Sequence, residues 1–297
     1  MKLKELLLIL IIIKMNKLIK PYGFVKLIDV MPRVLPSQFD NNMELNNNMN
    51  NNMNNNKNIK CDYSIAEAAR VSYSSNKKVN DDYSLIKYLY AHEHTTPFEM
   101  VTFKFHIKAP IFVVRQWQRH RMSTYNEISG RYSVINPEFW FPEPLRTQSV
   151  TNKQGSGSEI NNSLLIKKWD THNKNAYSLY LESLDSGVSR ELSRTVLPLN
   201  TYTEFYWKID LHNLLRFIRL RSDSHAQKEI REYSDSLKEI VKEYCPVSIE
   251  AFEEYSYLKL SKTEVNIIKN KLDPQELIKS KSQMKEFKEK LGILGLE

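Results

Sequence analysis

The run Met100 to Pro110, MVTFKFHIKAP, alternates Val101, Phe103, Phe105 and Ile107 with polar neighbours. Successive side chains on a strand leave opposite faces, so this segment must bury one face and wet the other. Such a strand requires a sheet with a core on one side. Pro110 can open a helix carrying Val113, Val114 and Trp117, because the first helical position needs no backbone N–H. Further strand signals lie over Phe24 to Val34, Arg131 to Ile135 and Thr201 to Ile209. Helical signals are more numerous. Tyr63 to Tyr73 reads as a helix, as does Asp81 to His94, with an aspartate N-cap ahead of Leu85, Ile86, Leu89 and Tyr90. The expected fold class is α+β, mixed helices packed around a central, mainly antiparallel sheet.

Several segments cannot belong to that core. Asn41 to Asn58 holds twelve asparagines in eighteen residues, with no apolar periodicity to offset the entropy of ordering, and it is expected to be a disordered insert. Arg146 to Asn162 contains two of the seven glycines and reads as a long surface loop. At the N-terminus, the apolar run Leu6 to Ile13 is too short to span a bilayer. Lys14, Lys17 and Lys20 follow it directly and no small-residue cleavage site does, so it reads as an extension more than a targeting signal. The expected organisation is an extension over 1–20, a domain over 21–260 carrying the insert 41–58, and a helical extension over 261–297. In that last part, Ser261 to Glu264 and Asp273 to Glu276 match capping boxes for two amphipathic helices. The second should run through Leu277, Met284, Phe287 and Leu291 to a stop at Gly292. A cytoplasmic location is expected, with organellar import through the N-terminal extension as the other possibility.

The balance of 43 basic against 35 acidic residues gives a net charge of +8. That sign favours anionic partners but does not choose between nucleotides, nucleic acid and an acidic membrane surface. Cys61 and Cys245 are the only cysteines. They are too few and too isolated for a disulfide framework, a cysteine-rich metal site or a basic thiolate motif, and a structural role for each is expected. His92, His94 and His120 come without a carboxylate–histidine motif at ligand spacing, so no metal is expected.

Two regions carry the chemistry. Arg115 to Ser133, RQWQRHRMSTYNEISGRYS, puts Arg115 and Arg119 one turn apart on a helix expected to stop near Arg121. The following loop mixes Arg, Asn, Glu and Ser, the inventory for holding several phosphate and base groups at once. A solvated helix end with local Glu127 to Arg pairs is the bland alternative. In the second region a helix presents Leu211, Leu214, Leu215, Phe217 and Ile218, and continuing that face lands on Arg221. An arginine on an apolar stripe needs an anion or a strong acceptor, and Asp223 and Glu229 are the nearby structural partners. From Asp223, as N-cap, a long helix should carry Ala226, Ile230, Tyr233, Leu237, Ile240, Val241 and Tyr244 on one face, with His225 in its first turn.

Arg119 to Ser129, RHRMSTYNEIS, resembles the Arg-His-Arg, seven residues, Ser signature of the flavin-dependent thymidylate synthases. His92 to Glu99 (HEHTTPFE), Arg194 to Trp207 (RTVLPLNTYTEFYW) and Leu220 to Tyr233 resemble that family in the same order. The resemblance spans most of Phe24 to Tyr257 and leaves out the Asn-rich insert and both ends. It implies reductive methylation of dUMP to dTMP, with 5,10-methylenetetrahydrofolate as carbon donor and NADPH as reductant through FAD. It also implies a homotetramer with active sites at subunit interfaces.

By matching position, His94 and Thr96 would lie beside the flavin, and Arg119, His120 and Arg121 would hold FAD. Gln116, Arg119, Glu127, Ser129, Gly130, Arg131 and Arg194 would surround dUMP, with Glu127 also near the flavin. Arg221 would sit on the uracil and stabilise negative charge as N3 ionises, a task suited to a guanidinium that stays charged. Ser129 is assigned to binding, because reduced flavin can deliver hydride to the ring without an enzyme nucleophile. The chain departs from the family's Asn-x-Arg flavin motif with Asp210-Leu211-His212, followed by Arg216. His212, Arg216 and, less readily, Asp210 are the cofactor candidates there. From charge and aromatic content alone, the competing reading is a basic nucleic-acid-binding protein without catalysis.

Overall fold

The computed structural model describes residues 16–19, 21–32, 61–72, 81–150, 155–256 and 258–296. The Asn-rich insert and the apolar run near the N-terminus lie outside the described residues. Met1–Ile249 forms one compact unit and Glu250–Glu297 a second.

The first unit is built on a five-stranded sheet in the order β1-β2-β3-β7-β4 with every pairing antiparallel. The strands are β1 (Asn16–Ile19), β2 (Gly23–Met31), β3 (Thr102–Pro110), β4 (Thr124–Glu127) and β7 (Tyr202–Asp210). A separate two-stranded sheet joins β5 (Leu145–Gln148) to β6 (Ser156–Ile160). The expected alternation holds at the centre: Val101, Phe103, Phe105 and Ile107 are fully buried, while Lys104, His106 and Lys108 on the other face are not. β7 runs antiparallel to β3 along its whole length, with Phe105 opposite Trp207. Residues 16–19, within the stretch expected to be an extension, form the outer strand beside β2.

The helices of this unit are α1 (Asp62–Arg70), α2 (Asp82–Ala91), α3 (Thr96–Glu99), α4 (Ile111–Trp117), α5 (Ser163–Asp185), α6 (Arg190–Ser193), α7 (Leu211–Arg221) and α8 (Lys228–Tyr244). α9 (Pro246–Tyr255) begins in the first unit and ends in the second. Both β3 and β7 pass directly into a helix, β3 into α4 and β7 into α7. Because the strands are antiparallel, these helices run against each other, and Trp117 meets Phe217 at a ring distance of 4.8 Å. Trp207 closes the cluster, 5.0 Å from Trp117 and 5.1 Å from Phe217. Each such aromatic pair adds about 0.5–1.5 kcal/mol beyond its buried area. The cluster fixes the end of α4, where the basic segment begins.

Several expectations are corrected. α4 ends at Trp117, not near Arg121, with Pro110 as its N-cap; Arg119 N–H turns back to the Gln116 carbonyl and His120 N–H to that of Trp117. Arg115 and Arg119 therefore do not share a helical turn. The strand in this region is Thr124–Glu127, which pairs with β7, while Arg131 to Ile135 is a turn in which Tyr132 and Ser133 both donate to the Ser129 carbonyl. Arg146 to Asn162 holds the β5–β6 hairpin rather than an open loop. The helix expected from Asp223 starts at Lys228, because Asp223 commits its carboxylate to the N–H and ring of His225 in a preceding turn. In the second unit the Ser261 capping box is present and opens α10 (Lys262–Asn270). Asp273, however, caps only the single turn α11 (Pro274–Leu277), and α12 (Lys281–Leu294) has its own cap, Ser280. α12 passes through Gly292 and ends at Gly295, whose φ of 66° suits a residue without a Cβ. No helix among the described residues is long and apolar enough to cross a membrane.

Candidate active site

The site residues fall into three groups around α4, β4 and α7. The first is Gln116, His120 and Arg221. Arg221 is the last residue of α7; its Nε donates to His120 Nε2 at 3.0 Å and its Nη2 to the Gln116 carbonyl at 3.1 Å. That carbonyl belongs to the last turn of α4, where acceptors lack intrahelical donors and the helix end is partially negative. So the arginine on the apolar stripe is met by a helix end and an imidazole, not by Asp223 or Glu229. Glu229 pairs instead with Arg146, and Asp223 with His225.

His120 packs edge-on against Phe217 at 4.7 Å. Burial, then the charges of Arg221 and Arg216, push its pKa down to about 4. The neutral ring accepts at Nε2, which places its proton on Nδ1. Burial likewise lowers Arg221 from its usual value. The loop holding His120 is stitched to the sheet, since Tyr125 Oη and Ser123 Oγ both donate to the His120 carbonyl, at 2.9 and 3.0 Å.

The second group lies where β4 leaves the sheet. Glu127 accepts from Thr203 Oγ1 at 2.7 Å through one carboxylate oxygen and from Gln118 Nε2 at 3.3 Å through the other. Beyond it, Ser129 Oγ accepts from the Arg131 N–H. A Cβ on Gly130 would stand 2.8 Å from Ile135 Cδ1 and 3.2 Å from Arg194 Cδ, so the absent side chain lets the Arg194 stem lie against the backbone. Glu191 ties this group together, with its carboxylate 3.6 Å from Arg131 Nε and its carbonyl accepting from Arg194 Nε.

The third group surrounds the start of α7, against which α3 packs. His94 follows Glu93, whose left-handed φ of 59° turns the chain so that the His94 N–H returns to the Leu89 carbonyl. Thr96 opens α3 and His94 lies just before it, exposed. Asp210 is the N-cap of α7, with its two carboxylate oxygens on the Asn213 N–H and side-chain amide. His212 is half-buried one residue into that helix, and Arg216 is exposed on the outer face. Among the described residues, Arg119, Arg121 and Arg216 have no carboxylate partner. They are free to meet phosphates.

The profile of the family described as thymidylate synthase complementing protein matches residues 56–247. A flavin-dependent thymidylate synthase of Dictyostelium discoideum is 42% identical over 280 residues, covering 92% of this chain and 85% of that protein. The chain belongs to the flavin-dependent thymidylate synthase family. A flavin-dependent thymidylate synthase of Thermus thermophilus is 49% identical over 226 residues, which is 75% of this chain and 84% of that one. The crystal structure of a UMP/dUMP methylase, PolB from Streptomyces cacaoi, bound with 5-Br dUMP, has a TM-score of 0.64 at 27% identity and covers 78% of this chain and 95% of that one. These comparisons give no support to the nucleic-acid-binding alternative.

Within the flavin-dependent thymidylate synthase signature, the Arg-His-Arg triplet occupies the turn after α4 and Ser129 the turn after β4. The fold brings Gln116, His120 and Arg221 into contact, sets Arg131 and Arg194 against Glu191, and lays the Arg194 stem on Gly130. No hydrogen bond among the described residues joins either group to His94 or Thr96. Thr203 and Gln118 escaped the sequence reading, although Thr203 carries a signal: it is a buried polar residue on the β7 face otherwise formed by Phe205, Trp207 and Ile209. A cavity of about 930 Å³, lined by Tyr22, Trp140, Tyr177, Arg146 and Glu229 among others, contains none of the expected site residues. No cluster of potential metal ligands occurs among the described residues.

Proposed function

We propose that this chain converts dUMP to dTMP, with 5,10-methylenetetrahydrofolate as carbon donor and NADPH as reductant through bound FAD. The observation that carries this reading is the setting of Arg221. Its Nε and Nη2 are held by His120 and the Gln116 carbonyl, and no described residue takes up Nη1. One edge of the guanidinium is thereby fixed by protein while the other can meet a carbonyl oxygen that gains charge. That is the demand a uracil makes when it is reduced and alkylated. A guanidinium stabilises this charge without exchanging a proton.

The donor set fits a flavin dinucleotide: Arg119, Arg121 and Arg216, without a carboxylate partner among the described residues, present cations for a diphosphate, and His94, Thr96 and His212 add polar groups. A bound flavin, once reduced by NADPH, would supply the hydride. Asp210, engaged in capping α7, holds the helix that carries His212 and Arg216. Ser129, Gly130, Arg131 and Arg194 would grip the nucleotide phosphate and sugar, with Glu127 held in place by Thr203 and Gln118. The domain over 21–260, the homotetramer with shared clefts and the cytoplasmic location belong to the same proposal.

The test is an absorption spectrum of the purified protein before and after anaerobic NADPH with dUMP present, followed by an assay for dTMP. Flavin bands that bleach, with dTMP formed only when methylenetetrahydrofolate is added, are expected. A colourless protein that takes up no FAD would overturn the reading.

A further inference from the structure

Among the described residues, the signature histidine ring accepts its hydrogen bond from Arg221 Nε–H, not from a backbone group. Three facts fix that contact. The ring is held against Phe217, one turn before Arg221 on the same helix. Its carbonyl is clamped by Tyr125 and Ser123. Its Nε2 meets the Arg221 Nε–H, which can only donate, so the neutral ring carries its proton on Nδ1.

We propose that His120 is a positioning residue for Arg221: through Nε2 it accepts the Nε–H and sets the guanidinium plane so that the free Nη edge stays turned toward dUMP. A guanidinium held only by the Gln116 carbonyl could swing about that single bond. Two acceptors on adjacent nitrogens remove the rotation, and a 1 Å misplacement of a charge-stabilising group costs on the order of 100-fold in rate. The assignment rests on the substrate role given to Arg221. It differs from a cofactor-holding role for His120, which would leave Nε2 facing the flavin.

The experiment uses the full-length holoenzyme and the variants His120→Leu, His120→Gln, Arg221→Ala and His120→Leu/Arg221→Ala. Flavin content is read by absorbance, dUMP affinity by calorimetry and turnover by dTMP formation. His120→Leu is expected to retain flavin and lose about 10- to 100-fold in kcat/KM. His120→Gln, whose carbonyl oxygen can replace Nε2 as acceptor, should recover most of that. In a double-mutant cycle, His120→Leu should add nothing once Arg221 is alanine. Nitrogen NMR of the wild type should show Nδ1 protonated and Nε2 as an acceptor, with the Nε2 signal moving in Arg221→Ala. Additive losses in the cycle, or flavin lost from both His120 variants, would overturn the proposal alone. Should Arg221→Ala leave turnover intact, the substrate role of Arg221 fails first and the positioning role falls with it.

Discussion

At the scale of single residues, the site depends on how few degrees of freedom its charged groups retain. Arg221→Ala removes the guanidinium but leaves the apolar stripe of α7 in place. The variant is expected to keep flavin while losing dUMP affinity and at least about 100-fold in turnover; unchanged turnover would sink the assigned role. Gly130→Ala tests a different contact. Its methyl group would press on Ile135 and the Arg194 stem, so a rise in KM for dUMP of about three- to ten-fold is expected with flavin content unchanged. Kinetics at saturating cofactor would check it, and an unaltered KM would remove the Gly130–Arg194 contact from the substrate site. Arg221 was legible as a functional residue because a charge on a core face demands a partner. The partner itself was not legible: His120 lies far away in sequence, and only the crossing of α4 and α7 brings it within 3.0 Å.

At the scale of elements, long segments with one buried face were readable, while short elements depended on tertiary contacts. β3 and the apolar face of α7 match their patterns because a single strong periodicity governs each. The β5–β6 hairpin and the Arg131 to Ile135 turn defied their local sequence: the first draws on a pairing partner, and in the second the Ser129 carbonyl takes the N–H groups of Tyr132 and Ser133 while β4 pairs with β7. α9 gives a pH prediction. Asp62 is fully buried and accepts from the N–H groups of Val247 and Ser248 at its start. Burial, exceeding the hydrogen bonds, raises its pKa from 3.8 to about 6. The folded state thus prefers the protonated acid. That stabilisation is complete below about pH 3.8 and is lost as pH rises through about 6, an effect on the order of 3 kcal/mol. Thermal melts between those pH values should show this falling contribution in the wild type and not in Asp62→Asn; identical pH slopes would contradict it. Glu93 offers a second check: its φ of 59° is unfavourable for a residue with a Cβ, so Glu93→Gly should be more stable than Glu93→Ala, which loses the same side chain, by up to about 1 kcal/mol in denaturant titrations.

At the scale of the whole molecule, the net charge of +8 is expressed at the site as exposed arginines without carboxylate partners among the described residues. Raising salt from low values to about 0.5 M, where screening acts within roughly 5 Å, should weaken dUMP binding several-fold; a salt-independent affinity would show that these charges do not reach the ligand. Light scattering of the holoenzyme should give the mass of four chains, and a monomer that turns over dUMP would overturn the shared-cleft arrangement. The sequence by itself determined the class of fold, the family signature and which face of each long element is buried, because periodicity and motif spacing are local properties that survive any packing. Tertiary structure alone decided that Arg221 meets His120 and a helix-end carbonyl rather than Asp223 or Glu229. It also decided that Glu127 is held by Thr203. In each case the choice lies between several chemically adequate partners, and the winner is set by which elements cross, a non-local property that no run of residues carries.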